Sequence, residues 1–152
     1  MADLRPILLV EDSPRDLELT LAALAKCQLA NEIVVARDGA EALDYLYREG
    51  AHLDRTLGDP AVVLLDLKLP KVDGLEVLER VKSDQALRHV PIVMLTSSRE
   101  EQDVVRSYEL GVNAFVVKPV EFREFFEAIR DLGVFWAILN EPPPGGGRGS
   151  PF

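Results

Sequence analysis

AVVLLDLKLP, residues 61–70, runs through five apolar residues, meets a carboxylate at Asp66, and then turns apolar again. A strand with one wet face would alternate apolar and polar residues, whereas a strand covered on both faces reads as a continuous apolar run. Val62 to Asp66 is therefore read as a strand buried on both sides. The carboxylate either breaks that strand or marks its end, and the neighbouring segments decide between the two.

Outward from this segment, short apolar runs alternate with helical periodicity. Ile7 to Val10, Ile33 to Ala36, Ile92 to Thr96 and Ala114 to Val117 read as four further strands. Ser13 to Cys27 reads as a helix: Ser13 suits the cap, Pro14 the first turn, and Leu17, Leu21 and Leu24 form a stripe. Gly39 to Glu49 reads as a helix with Leu43, Leu46 and Tyr47 facing inward, and a third helix covers about Leu75 to Ser83. Ser98 with Glu101 has the spacing of a capping box for a helix reaching Leu110 and ended by Gly111. A last helix starts near Glu121. Five β-α units imply parallel strands joined by right-handed crossovers. The expected fold is a doubly wound, flavodoxin-like α/β domain, a five-stranded parallel sheet of order 2-1-3-4-5 with five helices.

The length of 152 residues suits one domain. The domain is expected over 1–139, with a Pro/Gly-rich tail over 140–152. A net charge of -9 argues against non-specific nucleic-acid binding, which needs a basic patch. Cys27 is the single cysteine, so no internal disulfide is possible and a reducing cytoplasm is the expected compartment. The start lacks the features of a signal peptide, and no apolar run approaches the ~20 residues of a membrane span.

In open α/β sheets, ligands bind beyond the carboxyl ends of the strands. Here the first strand ends in Glu11 and Asp12, the third in Asp66, the fourth in Thr96, Ser97 and Ser98, and the fifth in Lys118 and Pro119. Strands one and three are neighbours in the expected order, so three carboxylates crowd together. Mutual repulsion and desolvation disfavour that unless a divalent cation sits among them. Hard oxygen donors suit Mg²⁺, and the lack of His or Cys at the rim argues against zinc. Thr96 and Lys118 offer a hydroxyl and an ammonium to a phosphoryl group, and a carboxylate beside the metal can become an aspartyl phosphate. Taken singly, each residue reads as an ordinary cap or loop residue. Together at one rim they read as a site.

Those segments resemble the receiver domain of two-component response regulators. ILLVEDSP is similar to its acidic pair, VVLLDLKLPKVDG to its phosphoacceptor segment, PIVMLTSS to its hydroxyl-bearing strand end, and GVNAFVVKP to its Lys-Pro strand end. The resemblance covers Pro6 to Leu132. It implies that Asp66 accepts a phosphoryl group from a sensor histidine kinase, and that Glu11, Asp12, Asp66 and the backbone carbonyl of Lys68 hold Mg²⁺. It further implies that Thr96 and Lys118 contact the phosphoryl oxygens, that Lys118–Pro119 is cis, and that Thr96 and Phe115 form the switch. The protein would then be a phosphoacceptor that catalyses only its own phosphorylation and dephosphorylation, not a turnover enzyme.

No output domain is expected after the receiver, which leaves a stand-alone regulator. The apolar run continues past the usual last helix through Val134, Phe135, Trp136, Ile138 and Leu139. With Phe122, Phe125, Phe126, Ile129 and Leu132 it reads either as core or as an association surface. This extension and the long Gly50 to Pro60 connection resemble the small regulators paired with phytochrome-type sensor kinases. A homodimer through the last helix, Phe135 and Trp136 is expected. The alternative is a pseudo-receiver that binds proteins without taking phosphate, against which the complete acidic, hydroxyl and lysine set speaks. A phosphatase would want an acid where Lys68 stands, and a flavin's phosphate would be repelled by Glu11 and Asp12.

Overall fold

Alternate residues of each central strand enter two different cores, and that explains why their sequence is apolar throughout. The structure, a computed structural model, describes residues 5–53, 58–107, 110, 112 and 114–132. It contains β1 (Ile7–Val10), α1 (Pro14–Lys26), β2 (Ile33–Ala36), α2 (Gly39–Tyr47), β3 (Val62–Asp66), α3 (Gly74–Ser83), β4 (Ile92–Thr96), α4 (Arg99–Ser107), β5 (Ala114–Val117) and α5 (Phe122–Leu132). A single 3₁₀ turn, Gly50–His52, follows α2. The sheet is parallel in the order β2-β1-β3-β4-β5, as the alternation of elements implied.

Leu8, Val10, Val63, Leu65, Ile92 and Met94 face one core, closed by Ala42, Leu43 and Leu46 of α2, Val77, Leu78 and Val81 of α3, and Val105 of α4. Ile7, Leu9, Val62, Leu64, Val93 and Leu95 face the other, closed by Ala23 and Leu24 of α1 and by Phe125, Ala128 and Ile129 of α5. Burying each of the Val, Leu, Ile, Met and Phe side chains contributes about 1.5–3 kcal/mol.

Four helices begin with the same local device. Ser13 Oγ accepts from the Asp16 N–H, and Ser98 Oγ accepts from the Glu101 N–H. The carboxylates of Asp38 and Asp73 accept from the Glu41 and Glu76 N–H groups in the same way. Each cap satisfies a first-turn donor that the helix itself leaves unpaired. Glu101 departs from the simple capping box: its carboxylate reaches back to the Ser97 N–H at 2.8 Å, one residue before the cap.

Several expectations need correction. Of the residues that read either as core or as an association surface, Phe125 and Ile129 are buried, while Phe122 is 42% exposed and lines an open cavity between α1 and α5 with Leu19, Ala22 and Lys26. Tyr45 is buried and Tyr47 only half-buried: Ala42, Tyr45 and Leu46 share the inward face at helical spacing, and Tyr45 meets the His52 ring edge-on. α2 stops at Tyr47, two residues early, where Arg48 turns left-handed (φ 58°). α4 is described to Ser107 and Leu110 lies outside a helix; Gly111, the 140–152 tail, Phe135 and Trp136 lie outside the described residues.

Gly74 fixes the loop that follows β3. A Cβ there would collide with the backbone carbonyl oxygens of Asp66 and Leu67. Its own N–H donates to the Leu67 carbonyl at 2.9 Å. Gly74→Ala is therefore expected to destabilise the fold by about 1–3 kcal/mol, the usual cost of overpacking. An unchanged urea midpoint would refute this account.

Candidate functional site

The strand register sets the height of each rim residue. Val10 pairs with Leu65, so Glu11 leaves β1 level with Asp66 at the end of β3. Asp66 pairs with Leu95 and Thr96 with Val117, so Thr96 stands one residue beyond Asp66 and Lys118 two. Glu11 and Thr96 are fully buried and Asp66 is 5% exposed, while Asp12 is exposed. One carboxylate oxygen from each of Glu11, Asp12 and Asp66 lies within 4.8 Å of the others.

Lys118 answers this charge. Its Nζ lies 3.2 Å from Asp66 Oδ2, 3.3 Å from Glu11 Oε1 and 2.9 Å from Asp16 Oδ2. Its backbone N–H donates to the Thr96 carbonyl at 2.8 Å, and the following peptide, Lys118–Pro119, is cis. Burial alone would push the Lys118 ammonium toward deprotonation, but the Asp16 hydrogen bond and the charges of Asp66 and Glu11 outweigh it, and its pKa rises. Glu11 moves upward to about 7, because burial penalises its charge and Asp66 adds a shared hydrogen bond and repulsion. The Ser13 N–H, 3.2 Å from Glu11 Oε2, opposes that rise only in part.

The donor set fits a hard divalent cation. It supplies three carboxylate oxygens and no nitrogen or sulfur, and burial holds two of the three acids in a place where charge is costly without a counter-ion. Asp12, Leu67, Lys68, Leu69 and Pro70 line a cavity of about 520 Å³ beside these acids.

Two parts of the site escape sequence reading. Asp16 sits in the first turn of α1, three residues after its cap, and reads there as an ordinary helix-start acid. Only the return of α1 over the sheet brings it to Lys118. Gln102 and Arg106, one turn apart on α4, reach a rim residue and a mid-strand residue of β5: Gln102 Nε2 donates to Thr96 Oγ1 at 3.4 Å, and the Arg106 guanidinium carbon lies 4.5 Å from the centroid of the half-buried Phe115 ring. The Lys68 side chain extends into solvent (81% exposed) and pairs with Glu101 at 3.2 Å.

Comparison with known proteins points one way. The profile of the family described as "Response regulator receiver domain" matches residues 7–130. Response regulator Rcp1 of Synechocystis is 38% identical over 130 residues, which is 86% of this chain and 87% of that protein. A solved Mn(2+)-bound form of Rcp1 has a TM-score of 0.68 at 38% identity, over 88% of this chain and 94% of that one. The solved bacteriophytochrome response regulator AtBRR is 78% identical with a TM-score of 0.88, over 92% of this chain and all (100%) of that one. The phosphorylated cyanobacterial phytochrome response regulator RcpA is 40% identical with a TM-score of 0.70, over 88% and 94%.

Glu11 gives the site a pH signature. Its folded pKa of about 7 lies above its ordinary value of 4.5, so the folded protein keeps a proton that the unfolded chain releases. The stability tied to that proton is complete below 4.5 and is lost as pH rises through about 7. In EDTA, the melting temperature is expected to fall by several degrees between pH 5 and 7.5 relative to Glu11→Gln. Parallel pH curves for the two proteins would refute it.

Proposed function

Since the chain belongs to the response regulator receiver family, we propose that it is a phosphorylation switch in which Asp66 takes a phosphoryl group from a sensor histidine kinase. The observation that carries this reading is the position of the Lys118 ammonium, 3.2 Å from the carboxylate of a buried Asp66 that Glu11 and Asp12 flank. Receiver proteins are in general phosphoacceptors rather than enzymes, and their general role is phosphorylation-dependent signalling.

In this reading an Asp66 carboxylate oxygen attacks phosphorus and forms the acyl phosphate. The bond from phosphorus to the donor's imidazole nitrogen breaks, and that nitrogen keeps the electron pair. Lys118 pairs with one equatorial phosphoryl oxygen and Thr96 donates its hydroxyl to another. Glu11, Asp12, Asp66 and the Lys68 carbonyl would hold Mg²⁺, which when bound neutralises charge on the transferring group. Water later hydrolyses the acyl phosphate at the same residues, so the protein catalyses only its own phosphorylation and dephosphorylation.

The signal leaves through Thr96 and Phe115. Both stand on the sheet face that α4 covers. Withdrawal of the Thr96 hydroxyl toward a phosphoryl oxygen breaks its contact with Gln102 and alters the space beside Phe115. We assign the kinase partner to the phytochrome type on the strength of the likeness to AtBRR and RcpA. We also propose a receiver over 1–139, located in the cytoplasm and followed by a tail over 140–152. It would pair as a homodimer through the last helix, Phe135 and Trp136, without binding nucleic acid or membrane. Among the described residues, no helix is long and apolar enough to cross a membrane. The alternative, a phosphate-independent pseudo-receiver, has no use for a buried acidic cluster met by a lysine.

Incubation with acetyl phosphate and Mg²⁺ should add about 80 Da, the mass of one phosphoryl group, to the parent and nothing to Asp66→Asn. An unlabelled parent, or an equally labelled variant, would sink the reading. The dimer is tested separately: light scattering at tens of micromolar should give twice the chain mass, and Trp136→Ala should lower it. A monomeric parent with and without a phosphoryl mimic would refute that assembly.

A further inference from the structure

Asp16 lies outside the residues that any motif of this fold singled out, yet it makes the shortest of the three Lys118 contacts, 2.9 Å against 3.2 Å and 3.3 Å. We propose that Asp16 is a positioning residue for Lys118, holding its ammonium at the rim while the other two partners change their chemistry. The inference rests on the phosphoacceptor reading above.

The argument follows from which partners the reaction claims. Glu11 and Asp66 both belong to the three-acid group that suits a divalent cation, so a bound cation takes up their charge. When Asp66 is phosphorylated, one of its oxygens becomes the bridging oxygen of the acyl phosphate, and the negative charge moves outward to the phosphoryl oxygens. Two of the three contacts to Lys118 therefore weaken during the cycle. Asp16 stands apart from the three-acid group and gives up nothing at either step.

Its backbone is also tied to the rim of the sheet. The Asp16 backbone N–H is fixed by Ser13 Oγ at 3.3 Å, and the Ser13 N–H is fixed by Glu11 Oε2 at 3.2 Å, so the first turn of α1 is tied to the rim of β1. Lys118 is held at its backbone by the Thr96 carbonyl, and its flexible four-carbon stem leaves the ammonium free to wander unless the far end is held as well. Asp16 supplies that second anchor on a short side chain from a fixed turn. A simple helix-start acid would stabilise α1 through the helix dipole and would owe nothing to Lys118.

A double-mutant cycle on the full chain separates the two roles. Labelling rates with acetyl phosphate and Mg²⁺ are measured by intact mass for the parent, Asp16→Ala, Lys118→Ala and the double variant. Asp16→Ala should slow labelling about tenfold, the scale of a modest misplacement of a catalytic group, and should add no slowing in the Lys118→Ala background. Calorimetric Mg²⁺ affinity should stay within about twofold, because Asp16 is not among the grouped metal-suited acids. Parent-like labelling of Asp16→Ala, equal slowing in both backgrounds, or a larger loss of Mg²⁺ affinity would each overturn the proposal. Asp16→Asn, which keeps the side-chain shape, replaces the alanine variant if that one melts early. If the parent itself fails to label, the phosphoacceptor reading falls rather than the role of Asp16.

Discussion

Four carboxylates and one ammonium meet at the carboxyl rim of this sheet. Lys118 touches Glu11, Asp16 and Asp66, and Asp12 completes the acidic group beside them. Two of the four, Glu11 and Asp66, are buried, where an unpaired charge would cost several kcal/mol. The lysine draws β5, β1, β3 and α1 together at one point. The excess of negative charge that remains is what suits the site to a cation and, through it, to phosphate chemistry.

The scaffold makes this crowding tolerable. Both faces of the sheet are sealed by helices, so the strands cannot slide without moving apolar residues from one core to the other. That register fixes Glu11 level with Asp66 and sets Thr96 one step and Lys118 two steps further out. Gly74 tightens the same arrangement from outside, since its lack of a side chain lets α3 start hard against the Asp66 carbonyl. The fold's stability and the geometry of the site are in this respect a single property.

In the proposed switch, α4 is the element through which a change at the rim spreads. Its cap residue follows β4 by two positions, its Glu101 ties the Ser97 backbone to Lys68, and its Gln102 and Arg106 rest on Thr96 and Phe115. These contacts are polar and half-exposed, worth little each. Such an element can shift at small cost when one of its contacts is drawn away, whereas β3 and β4, buried throughout, cannot.

How much was legible follows from the range of the interactions. The strands were readable because double burial demands unbroken apolar runs, and the helix starts because caps are local, as Ser13 and Ser98 show. Glu11, Asp12, Asp66, Thr96 and Lys118 were readable as rim residues because strand order places every strand end at one edge. Asp16, Gln102 and Arg106 were not, since each looks like an ordinary helix residue until the helix is docked. The same holds for Phe122, spaced as core but left facing a cavity, and for Tyr45, buried in place of Tyr47. The sequence by itself determined the elements, their order and the chemistry at the strand ends, because those depend on periodicity and neighbours a few residues apart. Only the tertiary structure decided which helical side chains complete the site: the Asp16–Lys118 contact joins residues 102 positions apart, and its existence depends on how a helix is rotated over the sheet.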